Sequence, residues 1–290
     1  MSLKTITHHR QDPYVRVNET LRRPDWSEPA TREQARRTTA NIRALPPLPT
    51  HAANERSALF MSETIEHLNV GAHFLDRLSA AERDQVREAG RPVPVPQGEM
   101  VFRQGDRHDG IFIIERGSVR VYYTAPSGRE ITLAYWTPGH FIGGPEISGG
   151  GIHMWSGIAI DDCRITMLPG EALQRLLERV PNFALALIDG LVAKGKCYSS
   201  MAQMLGTRSV IERLAQYLLN LSELYGTADG DTIVINHKVT HDQIAAMVGS
   251  TRQWVTMMLK RFQAKRIIAI EGSVIRIRRL DQLEQVLSKS

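Results

Sequence analysis

Apolar positions between residues 92 and 169 fall into short runs of β-branched and aromatic residues, and glycines separate the runs. The clearest runs cover residues 111–115, 119–123 and 131–136. Many short strands with turn residues between them are typical of an antiparallel sandwich or barrel. The pattern therefore predicts a β domain in the middle of the chain.

The apolar period changes to that of a helix on both sides of this β region. Residues 59–90 carry apolar side chains at helical spacing, and Ser79 with Glu82 forms a capping box. After the β region, the pattern predicts a short helix over residues 170–179 and a long helix over residues 181–205. We therefore expect helices to flank the β domain.

The predicted long helix carries an apolar stripe with the spacing of a coiled coil. Its positions recur at intervals of four, three, four, three and four residues: Leu187, Leu191, Lys194, Tyr198, Met201 and Leu205. Such a seam indicates that the helix packs against a second copy of itself. The alternative is that the stripe packs only on the chain's own β domain, and we expect it to do both. The sequence therefore predicts a homodimer.

Two capped helices around one glycine follow in the last third of the chain. A capping box at residues 240–243 begins a short amphipathic helix, Gly249 ends it, and a second box at residues 250–253 begins the next helix. Residues 267–277 have the pattern of a strand, a turn and a second strand. This order predicts a winged helix-turn-helix.

The second of these helices carries the side chains expected to contact DNA. Arg252 and Gln253 suit the edges of guanine and adenine, and Met257 suits a thymine methyl group. Lys260 and Arg261 follow where phosphates flank the groove. The candidate DNA-binding residues are Thr251, Arg252, Gln253, Met257, Lys260 and Arg261.

The distribution of charge agrees with this placement. The net charge of +5 divides into +4 for residues 1–56, −3 for residues 57–206 and +4 for residues 207–290. A basic C-terminal part favours binding of a polyanion there, although +4 also fits an ordinary solvated surface. Scattered Arg, His, Thr and Pro without an apolar period indicate that residues 1–56 form a flexible basic tail.

Composition excludes several classes of protein. Apolar residues are 42% and charged residues 23% of the chain, as in globular proteins. The longest mainly apolar stretch, residues 183–193, is too short for a membrane span, and no leader precedes it, so we expect a cytoplasmic protein without membrane contact. Cys163 and Cys197 are too few for a disulfide scaffold, a four-thiolate iron–sulfur cluster or a structural zinc site, and we expect no metal.

An enzyme is the competing class of protein. It would need a convergent acid, base or nucleophile, but the chain shows no Ser-His-Asp, paired-carboxylate or phosphate-loop spacing. We therefore expect no catalytic activity. A regulatory module of a channel or kinase is a third class, which would share the β domain but lack the wing.

The order and spacing of these segments resemble the Crp/Fnr family of bacterial transcription regulators. The matching segments lie within residues 68–280 and cover residues 98–106, 111–122, 128–133, 138–143 and 239–255. The resemblance implies an α+β chain with an N-terminal β jelly roll of the cyclic-nucleotide-binding type, a long dimerisation helix and a C-terminal winged helix-turn-helix. Its implied partners are a second copy of the chain, a palindromic operator and, if the protein activates transcription, RNA polymerase.

This resemblance divides the chain into four parts. The basic tail covers residues 1–56, and the effector-sensing jelly roll with its short flanking helices covers residues 57–180. The dimerisation helix covers residues 181–206, and the DNA-binding domain covers residues 207–290. Thr207 and Arg208, between the helix and the DNA-binding domain, are the candidate hinge.

The chain departs from the family members that bind cyclic AMP. Gly144 occupies the position of their ribose-binding Glu, and Met154 and Trp155 occupy the positions of the Arg-Ser pair that holds the cyclic phosphate. Without the guanidinium, a phosphodiester loses a charge-assisted contact. We therefore expect a small apolar or aromatic effector with at most one anionic group, and not cyclic AMP. The candidate effector-binding residues are Gly143, Gly144, Met154, Trp155, Lys194, Tyr198 and Met201.

Two further departures concern other effectors and the operator. The Cys-x-His of haem-sensing members is replaced by Gly-Gly-Pro at residues 143–145, so haem held through His140, His153, Cys163 or Cys197 stays open as the alternative effector. Members that read a guanine-rich half-site carry Arg-Glu and a later Arg on the recognition helix. This chain keeps the first Arg and has Gln253 and Met257 instead of the others, which predicts a different operator.

Overall fold

The computed structural model describes residues 75–143 and 150–288. The predicted tail and Gly144 lie outside these ranges. The helices are α1 (Ala80–Ala89), α2 (Gly170–Arg179), α3 (Pro181–Thr207), α4 (Val210–Tyr225), α5 (His241–Val248), α6 (Arg252–Ala264) and α7 (Leu280–Leu287). The strands are β1 (Arg91–Val95), β2 (Met100–Phe102), β3 (Gly110–Arg116), β4 (Val119–Thr124), β5 (Glu130–Trp136), β6 (Phe141–Gly143), β7 (Ser156–Ala159), β8 (Cys163–Pro169), β9 (Gly226–Asp229), β10 (Thr232–Ile235), β11 (Ile268–Glu271) and β12 (Val274–Ile277).

The first eight strands form the predicted jelly roll. They make two four-stranded antiparallel sheets, with strand orders β1-β8-β3-β6 and β2-β7-β4-β5. Alternate residues of the strands point between the sheets and bury apolar side chains, among them Val101, Ile114, Val121 and Ile165. Gly117 turns the chain between β3 and β4 with a φ of +82°, which only glycine adopts readily. The α+β fold class predicted from the sequence is confirmed.

Helices cover the outer face of the β1-β8-β3-β6 sheet. Ile111 and Phe141 on that face pack in one buried cluster with Phe183 and Leu187 of α3, together with side chains of α1 and α2. Gly190 makes the approach of α3 possible, because a Cβ there would lie 2.5 Å from Cε1 of Phe141. The N-terminal half of α3 is therefore fixed against the jelly roll.

The C-terminal part is a winged helix-turn-helix, as predicted. Its core joins α4, α5, α6 and α7 to a four-stranded sheet with the order β11-β12-β10-β9. The hairpin of β9 and β10 was not predicted from the sequence. Gly249 ends α5 in the left-handed conformation with a φ of +63°.

The start of α6 differs by one residue from the prediction. The sequence predicted that Ser250 caps this helix, but the backbone N–H of Ser250 still donates to the carbonyl of Ala245 and so completes the end of α5. Thr251 is the cap instead, and its hydroxyl accepts from the N–H of Trp254 at 3.2 Å. The turn between α5 and α6 is therefore one residue longer than the capping-box pattern indicated.

Strand β5 contributes side chains to the cores of both the jelly roll and the C-terminal part. Tyr135 is buried in the core of the C-terminal part, together with side chains such as Met204 and Tyr217, and α5 contacts β5. Trp136, the next residue, is buried in the core of the jelly roll instead. Neighbouring residues of this strand thus face different domains, because side chains alternate along a strand.

Helix α3 carries two stripes rather than one. The predicted stripe packs on the chain itself, since Leu187 and Met201 are buried and Lys194 and Tyr198 are half-buried. A second stripe at intervals of three and four residues is exposed and consists of Leu185, Ile188, Val192, Gly195, Ser199, Ala202 and Gly206. Leu205, the last position of the first stripe, is 37% exposed. The expectation that the first stripe also contacts a second subunit stays a prediction.

Candidate DNA-binding surface and effector groove

The two faces of α6 differ sharply in burial. Val255 and Leu259 face inward and pack in the domain core, whereas Arg252, Gln253 and Lys260 are exposed. Met257, on the same side of the helix, is 54% exposed. All six candidate DNA-binding residues lie on the exposed side of this helix or at its start.

These side chains surround an open concave surface. It encloses about 560 Å³ and is lined by Arg252, Gln253, Thr256, Met257 and Lys260. Thr256 was not among the residues predicted from the sequence. Its hydroxyl shares a 2.7 Å hydrogen bond with Nδ1 of His241 at the start of α5. Thr256 thereby joins the two helices of the helix-turn-helix at this surface.

One carboxylate lies beside the guanidinium at the start of α6. The Oδ2 atom of Asp242 on α5 is 3.7 Å from Nε of Arg252. Both side chains are well exposed, at 67% and 62% respectively. An ion pair this exposed contributes little to stability, about 0 to 1 kcal/mol.

A buried guanidinium ties Arg208, in the candidate hinge, to the helix-turn-helix. The side chain of Arg213 donates to the carbonyl of Arg208 at 2.7 Å and to the carbonyl of Val248, at the end of α5, at 2.9 Å. Burial lowers the pKa of Arg213, and the nearby Arg129, in the turn before β5, lowers it further. Sequence patterns missed Arg213, since nothing in its spacing shows that it lies at the hinge.

Lys194 of α3 lies against aromatic rings of the jelly roll. Its Nζ atom is 3.8 Å from the centre of the Trp136 ring and 4.7 Å from that of Phe141. These rings stabilise the ammonium by cation–π attraction. Burial opposes this and lowers the pKa of Lys194 to about 7, with a smaller effect of Cys197 in the other direction. Its charged form is therefore less favoured than that of an exposed lysine.

Tyr198 lies one turn after Lys194 on α3. Its ring lies 5.9 Å from that of Trp155, and its side chain also interacts with Trp136. Burial raises the pKa of the Tyr198 hydroxyl, which therefore stays protonated. Three predicted effector residues, Lys194, Tyr198 and Trp155, thus converge with Trp136, which the sequence did not single out. We refer to these four residues as the aromatic groove.

Other predicted effector residues lie elsewhere. Met154 is 69% exposed, and Met201 is buried. Gly143 ends β6 with a φ of +107°, and a Cβ there would lie 3.1 Å from the carbonyl oxygen of Gly110. Position 143 therefore favours glycine because of its backbone conformation and the close approach of Gly110.

The residues named for haem lie in the packed interior. His140, His153, Cys163 and Cys197 are all buried. Burial raises the pKa of both thiols to about 12, which disfavours the thiolate that binds iron. Within residues 75–143 and 150–288, no three His, Cys, Asp or Glu side chains converge as a metal site. In the same ranges, no helix is long and apolar enough to cross a membrane.

A buried histidine pair gives the protein a pH-dependent stability. The His153 ring stacks on Phe102 at 4.4 Å and lies 4.7 Å from the His108 ring. Burial, and then the proximity of His108, lowers the pKa of His153 from 6.5 to about 4, while Asp109 acts in the opposite direction. The unfolded chain therefore binds more protons than the folded chain between pH 6.5 and pH 4.

The free energy of unfolding is thus expected to fall as the pH drops through this range, by up to about 3 kcal/mol from this group. Urea unfolding at pH 7, 6, 5 and 4.5 measures the loss. His153→Phe keeps the stacking and removes the titrating group. The slope of its unfolding free energy against pH should therefore correspond to about one bound proton fewer than in the wild type. Parallel curves for the two proteins would contradict the assignment.

Comparison with known proteins covers both halves of the chain. Residues 92–180 match the family model of the cyclic nucleotide-binding domain, and residues 212–286 match that of the Crp-like helix-turn-helix domain. Among relatives, the CRP-like cAMP-activated global transcriptional regulator of Mycobacterium tuberculosis is 29% identical over 188 residues, which cover 64% of this chain and 84% of the relative.

Two more matches extend this finding. The fumarate and nitrate reduction regulatory protein of Escherichia coli is 26% identical over 214 residues, 74% of this chain and 82% of that protein. In its fold, the chain is similar to the solved structure of the c-di-GMP-responsive global regulator CLP of Xanthomonas campestris, with a TM-score of 0.62 and 20% identity. That match covers 69% of this chain and 99% of the other.

Proposed function

The chain belongs to the Crp/Fnr family of DNA-binding transcription regulators, and from this premise we propose that it is a homodimer that binds a palindromic operator in the cytoplasm. We further propose that a small apolar or aromatic effector, and not cyclic AMP, controls it. The observation that carries the effector proposal is the aromatic groove between α3 and the jelly roll, in which a cationic amine lies on aromatic rings. The family consists of regulators and not of enzymes.

The exposed stripe of α3 supports the homodimer. Leu185, Ile188 and Val192 are each about half exposed, at 46%, 54% and 50%, and they follow one another at intervals of three and four residues. A helix with such a row of apolar side chains toward solvent buries it against a second helix. A symmetric pair of α3 helices would place the two DNA-binding domains side by side, as a palindrome requires.

The chemistry of the aromatic groove defines the effector class. Trp155 and Tyr198, which are half-buried, offer flat apolar surfaces that suit an aromatic ring, and the buried Trp136 lies beneath Lys194. Lys194 supplies one positive charge, which suits a single carboxylate or phenolate. The described part of the groove shows no arginine for a cyclic phosphate, since Met154 and Trp155 occupy that position.

Two contacts provide a route from the effector to the DNA-binding domain. An effector that displaces or orders Lys194 acts on Trp136, and the adjacent Tyr135 lies in the core that includes α5. Arg213 links the carbonyls of Arg208 and Val248, so a shift at the hinge also reaches the helix-turn-helix. An effector changes DNA affinity through this route only by its differential affinity for two arrangements of the chain.

Calorimetry with cyclic AMP, benzoate and phenylacetate tests the effector class. We expect the aromatic acids to bind and Tyr198→Ala to weaken them about tenfold, because stacking contributes about 1 kcal/mol or more. Tight binding of cyclic AMP that survives Tyr198→Ala would overturn the proposal.

A proton count makes this experiment specific for the lysine. A bound carboxylate favours the charged form of Lys194 and therefore raises a pKa that begins at about 7. At pH 7.5, binding should take up a fraction of one proton, so the measured heat should differ between phosphate and Tris buffers. Lys194→Met should remove this difference. A buffer dependence that persists in the variant would assign the proton to another group.

A further inference from the structure

We propose that Asp242 is a positioning residue that controls how Arg252 discriminates between DNA sequences. This inference rests on the proposed binding of operator DNA. The observation is the ion pair between Oδ2 of Asp242 and Nε of Arg252 across the turn of the helix-turn-helix. The carboxylate lies beside the surface that has to approach a polyanion, where a negative charge by itself lowers affinity for DNA.

The framework around the pair holds both backbones in place. Asp242 is in the first turn of α5, and Arg252 is the first residue of α6. Buried Ile244 and Val255 pack in the core that the two helices share. The left-handed Gly249 and the hydrogen bond from Ser250 to Ala245 fix the turn between them. The fold of the motif therefore brings Asp242 and Arg252 close enough for their side chains to meet.

Helix electrostatics explain why Arg252 needs this neighbour. The start of a helix carries a partial positive charge, which disfavours a cation there. Helix α6 has no acidic residue in its first turn that could offset the charge of Arg252. Asp242 supplies the missing carboxylate from the other helix. The same carboxylate also suits the start of α5, but that effect alone does not require contact with Arg252.

The guanidinium of Arg252 can contact Asp242 and a base at the same time. Asp242 lies on the Nε side, so the two terminal nitrogens stay available for the acceptors on the edge of a guanine. Lys260 and Arg261, the expected phosphate contacts, form no ion pair within the described residues. They can therefore contact phosphates of any sequence, whereas Arg252 offers its terminal nitrogens to a base while its Nε stays beside Asp242.

This arrangement works against wrong sequences more than it favours the right one. On random DNA, Asp242 repels phosphates and competes with them for Arg252. On the operator, the bidentate contact with guanine compensates for this repulsion. Asp242 thus lowers the affinity for random DNA and raises the ratio of specific to nonspecific binding.

The test begins with selection of an operator from random duplexes by the wild-type protein. Anisotropy titrations then compare the operator, its variant at the base pair read by Arg252, and random DNA. Asp242→Asn should bind random DNA about 3 to 10 times more tightly and lose about 5 to 10-fold in discrimination at that base pair. Asp242→Glu should restore most of the discrimination.

Two controls separate positioning from bulk charge and helix stability. Asp281→Asn makes the same charge change in the first turn of α7, where Asp281 is also exposed, and should leave the discrimination unchanged. In an Arg252→Ala background, Asp242→Asn should no longer affect discrimination. An equal effect with and without Arg252 would overturn the inference, as would discrimination that Asp242→Asn leaves intact. A selection that enriches no sequence would instead contradict the proposed function itself.

Discussion

Val192→Asp is expected to convert the proposed homodimer into a monomer and to lower operator affinity by at least about a hundredfold, since burial of unpaired charge costs several kcal/mol. Val192 lies in the exposed stripe of α3 and is 50% exposed in the single chain. In a symmetric pair of helices, the two new carboxylates would face each other in an apolar seam. The fold of each chain should survive, because Val192 does not contribute to a buried cluster of the chain.

Light scattering after size exclusion measures the oligomeric state, and anisotropy with operator DNA measures the functional loss. Val192→Ile retains an apolar side chain and should remain dimeric. Gln174→Glu introduces a negative charge at an exposed position on the neighbouring helix α2 and should change neither quantity. A dimeric Val192→Asp protein would show that the exposed stripe is not the interface.

The second large effect is expected for Arg252→Ala. If Arg252 contacts a guanine in each half-site, its loss removes about 1 to 3 kcal/mol twice, or about 2 to 6 kcal/mol from the complex of a dimer. The preference at one base pair in each half-site should relax. Binding to random DNA should change much less, because that contact carries sequence information.

Lys260→Ala is the matched comparison, since Lys260 lies on the same exposed face of α6. Loss of a phosphate contact should weaken binding to all sequences. The slope of log affinity against log salt concentration should also decrease by about one per half-site. Titrations at several salt concentrations on operator and random DNA distinguish the two variants. Equal losses on both DNAs for Arg252→Ala would contradict its assignment as a base-reading residue.

Local signals explain which parts of the fold the sequence predicted well. The positions of the turns and strands in the jelly roll are set by residues that are close in the chain. The same holds for the two helices on either side of Gly249. The exposed face of α6 followed from helical periodicity alone. Ser250 was nevertheless mistaken for the cap of this helix, which is Thr251, because Ser250 and Gln253 also have capping-box spacing.

Features that depend on contacts between residues far apart in the chain could not be predicted from the sequence pattern. Both stripes of α3 have coiled-coil spacing, and only the position of the β domain shows that Leu187 and Met201 are covered while Ile188 and Val192 are not. The contact between Lys194 and Trp136 joins residues from a helix and a strand that no periodicity relates. The contacts of Arg213 with Arg208 and Val248 are likewise visible only in three dimensions.

The alternation of side chains along β5 has a consequence for how such a regulator can diverge. Trp136 faces the groove and Tyr135 faces the DNA-binding domain, so a substitution at one position leaves the other surface in place. Effector preference can therefore drift without loss of the contact that transmits the signal. A deletion of one residue in this strand would exchange the two faces, and both properties would be lost together.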